Sequence, residues 1–318
     1  MKELNTTNDP ISLSQILSLV KECFDTSKLS AFNLWFRGQS RYRDNLTPSI
    51  FRQGKGFDVL DYKEKNMFRE FRHLRECQNR NNLSTFEWLT LMQHYGLPTR
   101  LLDWTENLFV ALYFSTIIEG KNNQNDEEEI DGSLYVIDPI SLNTASEDPL
   151  KRFIYDQFTT QVIFRSNLSR VDYLEELFNL DEIIKIMKIQ NLDYKIDNGR
   201  IKIKDTRLSE DYEEHPWFIR TISTPIAVKP SQNSERLFLQ NGMFTLHGGK
   251  ILDKKKLVDS KQIEDLENVD IIKIKIPAAS KKSLRHELSL VGISQASLFP
   301  ELEHQANYIK ERNTIIQN

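Results

Sequence analysis

Apolar and polar positions in this chain follow two periods, and the switches between them mark its elements. Ile11, Ile16, Leu17, Val20 and Phe24 recur at helical spacing. They predict a first helix that begins at Asp9-Pro10, with proline in the first helical position. From Asn33 to Gln39 the bulky pair Trp35 and Phe36 predicts a strand, which Gly38 ends while permitting close approach by a ligand or another backbone. Helical spacing returns from Asp61 to about Gln78, with Met67, Phe71 and Leu74 inward. Ser84 and Glu87 have the spacing of a capping box that opens another helix. That helix ends near Tyr95, with Gly96 as a left-handed stop and Pro98 just beyond. Arg100 to Trp104 reads as extended. Thr105 is the expected cap of the next helix, in which Leu108, Ala111, Leu112 and Ser115 share a face.

The second half is read in the same way. Lys121 to Asp131 is a polar, acidic loop, and Ser133 to Asp138 a short strand. Beyond Asp148-Pro149 a mainly helical insert is expected, to about residue 215. Its clearest helix runs from Val171 to Ile189, and an alternating hairpin from Tyr194 to Lys204 turns at Asp197-Asn198-Gly199. Strands are predicted at Pro225–Val228 and Asp270–Ile276. Two more are expected on either side of Asn241-Gly242, with Arg236, Phe238 and Gln240 on one strand face. Lys254–Leu266, capped by Asp253, and Lys281–Val291 read as helices. After a break at Gly292, a last helix runs from Ser294 to Glu311 with Pro300 and Glu301 inside it. The order lacks the regular alternation of a doubly wound sheet, so the predicted class is α+β, a mixed sheet core with several packed helices. Residues 1–30 form an N-terminal helix and 31–318 the main domain with its insert.

Composition changes this picture little. Among 318 residues, 39% are apolar and 28% charged, enough for a substantial core and a polar surface. No stretch approaches a membrane span and the N-terminus lacks a signal-peptide core, so a cytoplasmic protein with no membrane partner is expected. Cys23 and Cys77 lack metal-ligand spacing and read as buried thiols; no metal site is expected. The net charge of −4 conceals eleven bases against six acids between Trp35 and Arg80. That excess suits a phosphate-bearing partner, or else a solvated helix face.

The candidate chemistry gathers in Leu91–Ser115. There His94, Tyr95, Thr99, Arg100, Asp103 and Trp104 crowd the junction between one helix and the next. Such a corner is either a site or a buried structural turn. Its residues His94-Tyr-Gly-Leu-Pro-Thr-Arg-Leu-Leu-Asp-Trp-Thr105, together with Trp35-Phe-Arg-Gly-Gln39 and Ala111-Leu-Tyr-Phe114, resemble the FRG domain, named for its Phe-Arg-Gly tripeptide. Gln240-Asn-Gly-Met-Phe244 and Leu298-Phe-Pro-Glu-Leu302 resemble later elements of that family. The resemblance spans about Asn33 to Ala306 and implies a bacterial toxin or phage-defence setting.

A looser similarity is to ADP-ribosyltransferases of the Arg-Ser-Glu type, and it implies a core of that kind with NAD as substrate. It matches Arg37-Gly38 to an arginine on a first core strand, but lacks a Glu-x-Glu pair on the late strand. Arg37 would hold the pyrophosphate as a bidentate anchor, with Arg100 as a second one. Gly38, Gln39, His94, Tyr95, Thr99 and Trp104 would complete the nucleotide site. Asp103 or His94 would orient the ribose or the acceptor. Glu235, Glu301 or Gln240 would stand where a catalytic acid is needed, because a carboxylate stabilises the oxocarbenium charge formed as the nicotinamide leaves. Each residue also has a purely structural reading. Arg37 can pair with a buried carboxylate, His94 and Glu301 can complement helix ends, and Gln240 can sit at a sheet edge. Two functions follow: an enzyme that modifies a macromolecule (RNA or DNA among the acceptors, an antitoxin protein as a partner), or a non-catalytic nucleotide- or nucleic-acid-binding module. A hydrolytic toxin is a third.

Overall fold

The structure is a computed structural model. It describes residues 1–4, 7–26, 34–52, 64–74, 85–118, 130–144, 194–197, 200–204, 212–213, 225–230, 234–247, 250–251, 257–258, 262–266 and 269–313. Among these, no helix is long and apolar enough to cross a membrane.

A seven-stranded mixed sheet organises the chain, as the α+β reading requires. Its strands are β1 (Lys2–Leu4), β2 (Trp35–Gln39), β3 (Leu101–Thr105), β4 (Gly132–Ile137), β8 (Ile226–Val228), β9 (Gly242–Leu246) and β12 (Ile271–Ile276). They lie in the order β1-β12-β4-β2-β3-β9-β8. Only β1 and β12 pair in parallel; the other neighbours are antiparallel. The predicted hairpin is present as β5 (Tyr194–Asp197) and β6 (Arg200–Lys204), extended to three strands by β7 (Tyr212–Glu213). A separate pair joins β10 (Lys250–Ile251) to β11 (Leu257–Val258).

Strand alternation divides the core. On one face Phe36, Leu134, Val136, Ile272, Ile274 and Ile276 pack with the helices α1 (Leu13–Thr26), α4 (Leu108–Ser115) and α7 (Lys281–Leu290). On the other, Trp35, Leu102, Trp104, Tyr135 and Ile137 pack with Leu46, Ile263 and Leu142 of α5 (Pro139–Thr144). Helix α4 can lie directly on the sheet because of Gly38. A Cβ there would stand 1.8 Å from the Ala111 carbonyl oxygen, so the close approach that glycine permits is filled by helix backbone.

Several local expectations are corrected. Helix α1 starts at Leu13, not at Pro10, because Ser12 and Gln15 cap it reciprocally and Ile11 N–H donates to Ser280 Oγ. Leu17 and Leu74 are exposed rather than inward. The cap of α4 is Asn107, whose Oδ1 accepts from Phe109 N and Val110 N. Thr105 instead ends β3, donating to the Gln240 carbonyl at 2.6 Å. Residues 235–239 form a helix, α6 (Glu235–Leu239), capped by Ser234, rather than a strand. Asn241, at φ 45°, turns α6 into β9. Residues 254–266 are not one helix, since Leu257–Val258 is a strand and Ile263–Asp265 a single 3-10 turn. The final helix is split at Phe299–Glu301 into α8 (Gln295–Leu298) and α9 (Leu302–Arg312), as a proline in its interior demands. Helix α2 (Glu64–Arg72) ends before the expected Gln78, whereas α3 (Thr85–His94) ends where expected, with Gly96 (φ 81°) following as the left-handed stop. Ser84, Cys77, the acidic loop to Glu129, the 198–199 turn, Asp253 and most of the 148–215 insert with its 171–189 helix lie outside the described residues.

Candidate functional site

A gap in the sheet creates the site. Strand β2 pairs with β4 at five positions, but with β3 only at Phe36–Thr105. Past that pair, Arg37 and Gly38 face Asp103 and Trp104 across backbone that forms no ladder. Helices α3, α4 and α6 surround the opening and leave a cleft of about 350 Å³. Phe36, Val110, Ala111, Phe114 and Phe244 supply its apolar part. Arg37, Gln93, His94, Asp103, Arg236 and Gln240 supply its hydrogen-bonding and charged groups.

Arg37 sits where the two strands part. One terminal nitrogen, NH1, donates to the Asp103 carbonyl at 2.5 Å and lies 3.8 Å from Asp103 Oδ2. Its side chain is 12% exposed, and Nε is buried without a hydrogen-bond partner. Burial lowers its pKa to about 10, against the opposing pull of Asp103, so it stays charged at neutral pH. A charged fork that spends one nitrogen on protein and leaves another unfilled is a costly arrangement unless a ligand completes it.

The carboxylate opposite is accessible, with 63% of the Asp103 side chain exposed. It is nevertheless aimed. Gln93 Nε2 donates to Asp103 Oδ1 at 2.7 Å, and Gln93 Oε1 accepts from Thr99 Oγ1. Thr99 is itself buried and accepts from Leu101 N–H. The relay Thr99–Gln93–Asp103 therefore fixes both the amide of Gln93 and the carboxylate it holds.

Of the residues singled out in the sequence, Arg37, Gly38, His94, Asp103, Trp104 and Gln240 line the cleft. The rest stand elsewhere. Arg100 is buried in the fold; it donates to the His247 carbonyl at 2.9 Å and its guanidinium lies over the Phe51 ring, so it is no second anchor in the cleft. Gln39 is buried, bonded to the Asn45 carbonyl, and Thr99 acts from behind Gln93. Tyr95 is exposed outside the cleft against His94 and Phe71. Although Trp104 contributes to the wall, its ring belongs to the second core and its indole N–H donates to Thr245 Oγ1, which leaves no face for a stacking ligand. Glu235 is exposed at the start of α6. Glu301 is not among the lining residues, but its Oε1 lies 3.9 Å from His94 Nε2 and 3.7 Å from Arg236 NH1, which both are. Gln240 ties the wall together: its Nε2 donates to the Leu298 carbonyl at 3.0 Å.

Sequence reasoning missed Gln93 and Arg236 as cleft residues. Gln93 directly precedes His94 in the corner motif, a signal that was available. Arg236 was placed on a strand, where no cleft position could be assigned.

No curated protein and no solved structure matches the chain. Residues 32–126 match the FRG domain, a span that holds Arg37, Gln93, Thr99 and Asp103 together with β2, α3, β3 and α4. The split between β2 and β3 lies inside the span that matches the FRG domain, while Arg236, Gln240 and Phe244 of the cleft lie beyond it.

Proposed function

We propose that the cleft binds NAD through its pyrophosphate and that the chain transfers ADP-ribose from it to a macromolecular acceptor. The observation that carries this reading is Arg37: a charged, mostly buried guanidinium with Nε unfilled, placed beside an accessible and aimed carboxylate. A planar guanidinium matches paired phosphate oxygens, and the surrounding low-polarity wall strengthens the pairing. The apolar part formed by Val110, Ala111, Phe114 and Phe244 suits a planar ring.

The reaction breaks the bond between nicotinamide nitrogen and ribose C1′ and forms one from C1′ to an acceptor nucleophile. NAD and the protonated acceptor give ADP-ribosyl acceptor, nicotinamide and one proton. Positive charge grows on the ribose as the first bond lengthens. Asp103 is the carboxylate placed to stabilise it, held by Gln93 so that little reorganisation is needed. Glu235 and Glu301 take no part in this scheme, since neither lines the cleft. Nucleic acid is the acceptor class suggested by the basic excess between Trp35 and Arg80.

A second reading, a non-catalytic nucleotide-binding module, is favoured by one observation: Asp103 is highly exposed, and a carboxylate in water stabilises charge weakly. One experiment separates the two. The chain is incubated with NAD labelled in the adenylate, with RNA, DNA and protein supplied separately, and nicotinamide release is followed. Label on an acceptor that disappears in Asp103→Asn, with NAD binding retained, supports transfer. Saturable binding with no nicotinamide released from any mixture leaves the module. Absence of NAD binding refutes the transfer reading and leaves only a module for another nucleotide or for nucleic acid.

A further inference from the structure

Arg37 is not the only guanidinium in the cleft. Arg236, on α6, lines the same cavity. Its guanidinium lies over the Phe299 ring at 4.6 Å from the centroid, which fixes its plane. The side chain is 31% exposed, and its guanidinium makes no hydrogen bond among the described residues. Its nearest anionic atom is Glu301 Oε1 at 3.7 Å, beyond hydrogen-bonding range, and His94 Nε2 lies 3.9 Å from that same oxygen. One carboxylate oxygen thus stands between a fixed guanidinium and an imidazole, both of which face the cleft. The other oxygen, Oε2, is buried and has no partner.

We infer that Arg236 and His94 form a second anion subsite, which Glu301 fills until a ligand phosphate replaces it. The inference rests on the proposed NAD reading and sharpens its substrate class: a dinucleotide that bears a third phosphate outside its pyrophosphate. Glu301 Oε1 marks where the incoming oxygen sits. A phosphate offers more acceptor oxygens and more charge than the carboxylate, and it can reach the hydrogen-bonding distance that Glu301 does not. Glu301 meets Arg236 and His94 only at distances beyond hydrogen-bonding length, which favours its replacement. Arg37, on β2, keeps the pyrophosphate, so the two phosphate groups of the ligand are read by separate residues. The Glu301 contact also makes the subsite selective, because a ligand without the third phosphate gains nothing by displacing it.

The test is calorimetric titration of the full chain with NAD and with its 2′-phosphorylated form, NADP, at one fixed ionic strength. The wild-type chain is expected to bind NADP roughly tenfold more tightly, the worth of one added charge-assisted contact. Arg236→Gln should bring the two affinities together by weakening NADP the more. Arg236→Lys, which keeps charge without the fork, should recover only part of the difference. Glu301→Gln should tighten NADP further and leave NAD alone, because it removes the competing carboxylate. Melting curves of all three variants establish that each is folded. Equal wild-type affinities for NAD and NADP overturn the inference and leave the NAD reading standing. Weaker NADP binding in Glu301→Gln overturns it too, since Glu301 would then be a support for Arg236 rather than its occupant. If a single-stranded oligonucleotide, and not NADP, loses affinity in Arg236→Gln, the subsite serves the acceptor and the inference is again overturned. Failure of both dinucleotides to bind refutes the NAD reading itself.

Discussion

Arg37→Lys separates ligand anchorage from support of the fold. The guanidinium bonds protein through NH1 to the Asp103 carbonyl and leaves Nε unpaired. An ammonium group can keep that one bond, and with it the charge. It cannot at the same time offer a second donor in a fixed plane to a phosphate. The ion pair with Asp103 contributes little to stability, since the carboxylate is 63% exposed and 3.8 Å away. The stability change should therefore be within about 1 kcal/mol, a shift in Tm of roughly 2–4 °C. Loss of one charge-assisted contact to ligand removes about 1.5–3 kcal/mol, which is roughly ten- to a hundredfold in Kd. Thermal melting and NAD titration on the same preparation measure both. If Arg37 were instead a buried structural partner, breaking its pairing would remove about 3–5 kcal/mol of stability. A variant that melts many degrees early, while its folded fraction binds NAD like wild type, would refute the anchor role.

Three further outcomes test the fold around the cleft. Gly38→Ala places a Cβ 1.8 Å from the Ala111 carbonyl oxygen, so α4 must lift from β2; a loss of about 1–3 kcal/mol or more in urea unfolding is expected, and a neutral result would mean the helix does not lie so close. Asn107→Ala removes the cap of α4 and should lower stability by about 0.5–2 kcal/mol in the same assay, whereas Asn107→Asp should be nearly neutral. At high pH, burial and the bond to Glu3 raise Tyr42 to about 12 from its ordinary 10.0. Because the folded state keeps that proton longer than the unfolded chain, Tyr42 stabilises fully below pH about 10 and the contribution is lost as pH rises towards about 12. Arg37, lowered to about 10, works in the opposite sense and adds stability over the range above it. Tyr42→Phe should accordingly flatten the fall in urea midpoint between pH 9 and 11.5, and parallel curves for the two chains would contradict this account.

Short-range patterns were enough to read the third of the chain that matches the FRG domain. Trp35 and Phe36 announce β2, Gly96 stops α3 because only a left-handed residue can follow there, and 271–276 alternates as β12 does. These signals are local, since period and backbone preference act over a few residues. Arg37 and Asp103 could be nominated from the motif for the same reason. What the sequence could not contain is the pairing of β2 with β4 along its length and with β3 at one position. That choice depends on strands nearly a hundred residues apart, and it alone opens the cleft and joins Arg37 to the Asp103 carbonyl. It also explains the wrong assignments. Residues 235–239 carry apolar positions that fit either period, and the Ser234 cap together with packing on β9 resolves them as a helix. That helix carries Arg236 into the cleft and leaves Glu235 outside it. Arg100 and Trp104 belong to the same motif as Asp103, but on a strand successive side chains point to opposite faces. Which face met the cleft and which met the core was decided only when the sheet acquired α4 on one side and Leu46, Ile263 and α5 on the other.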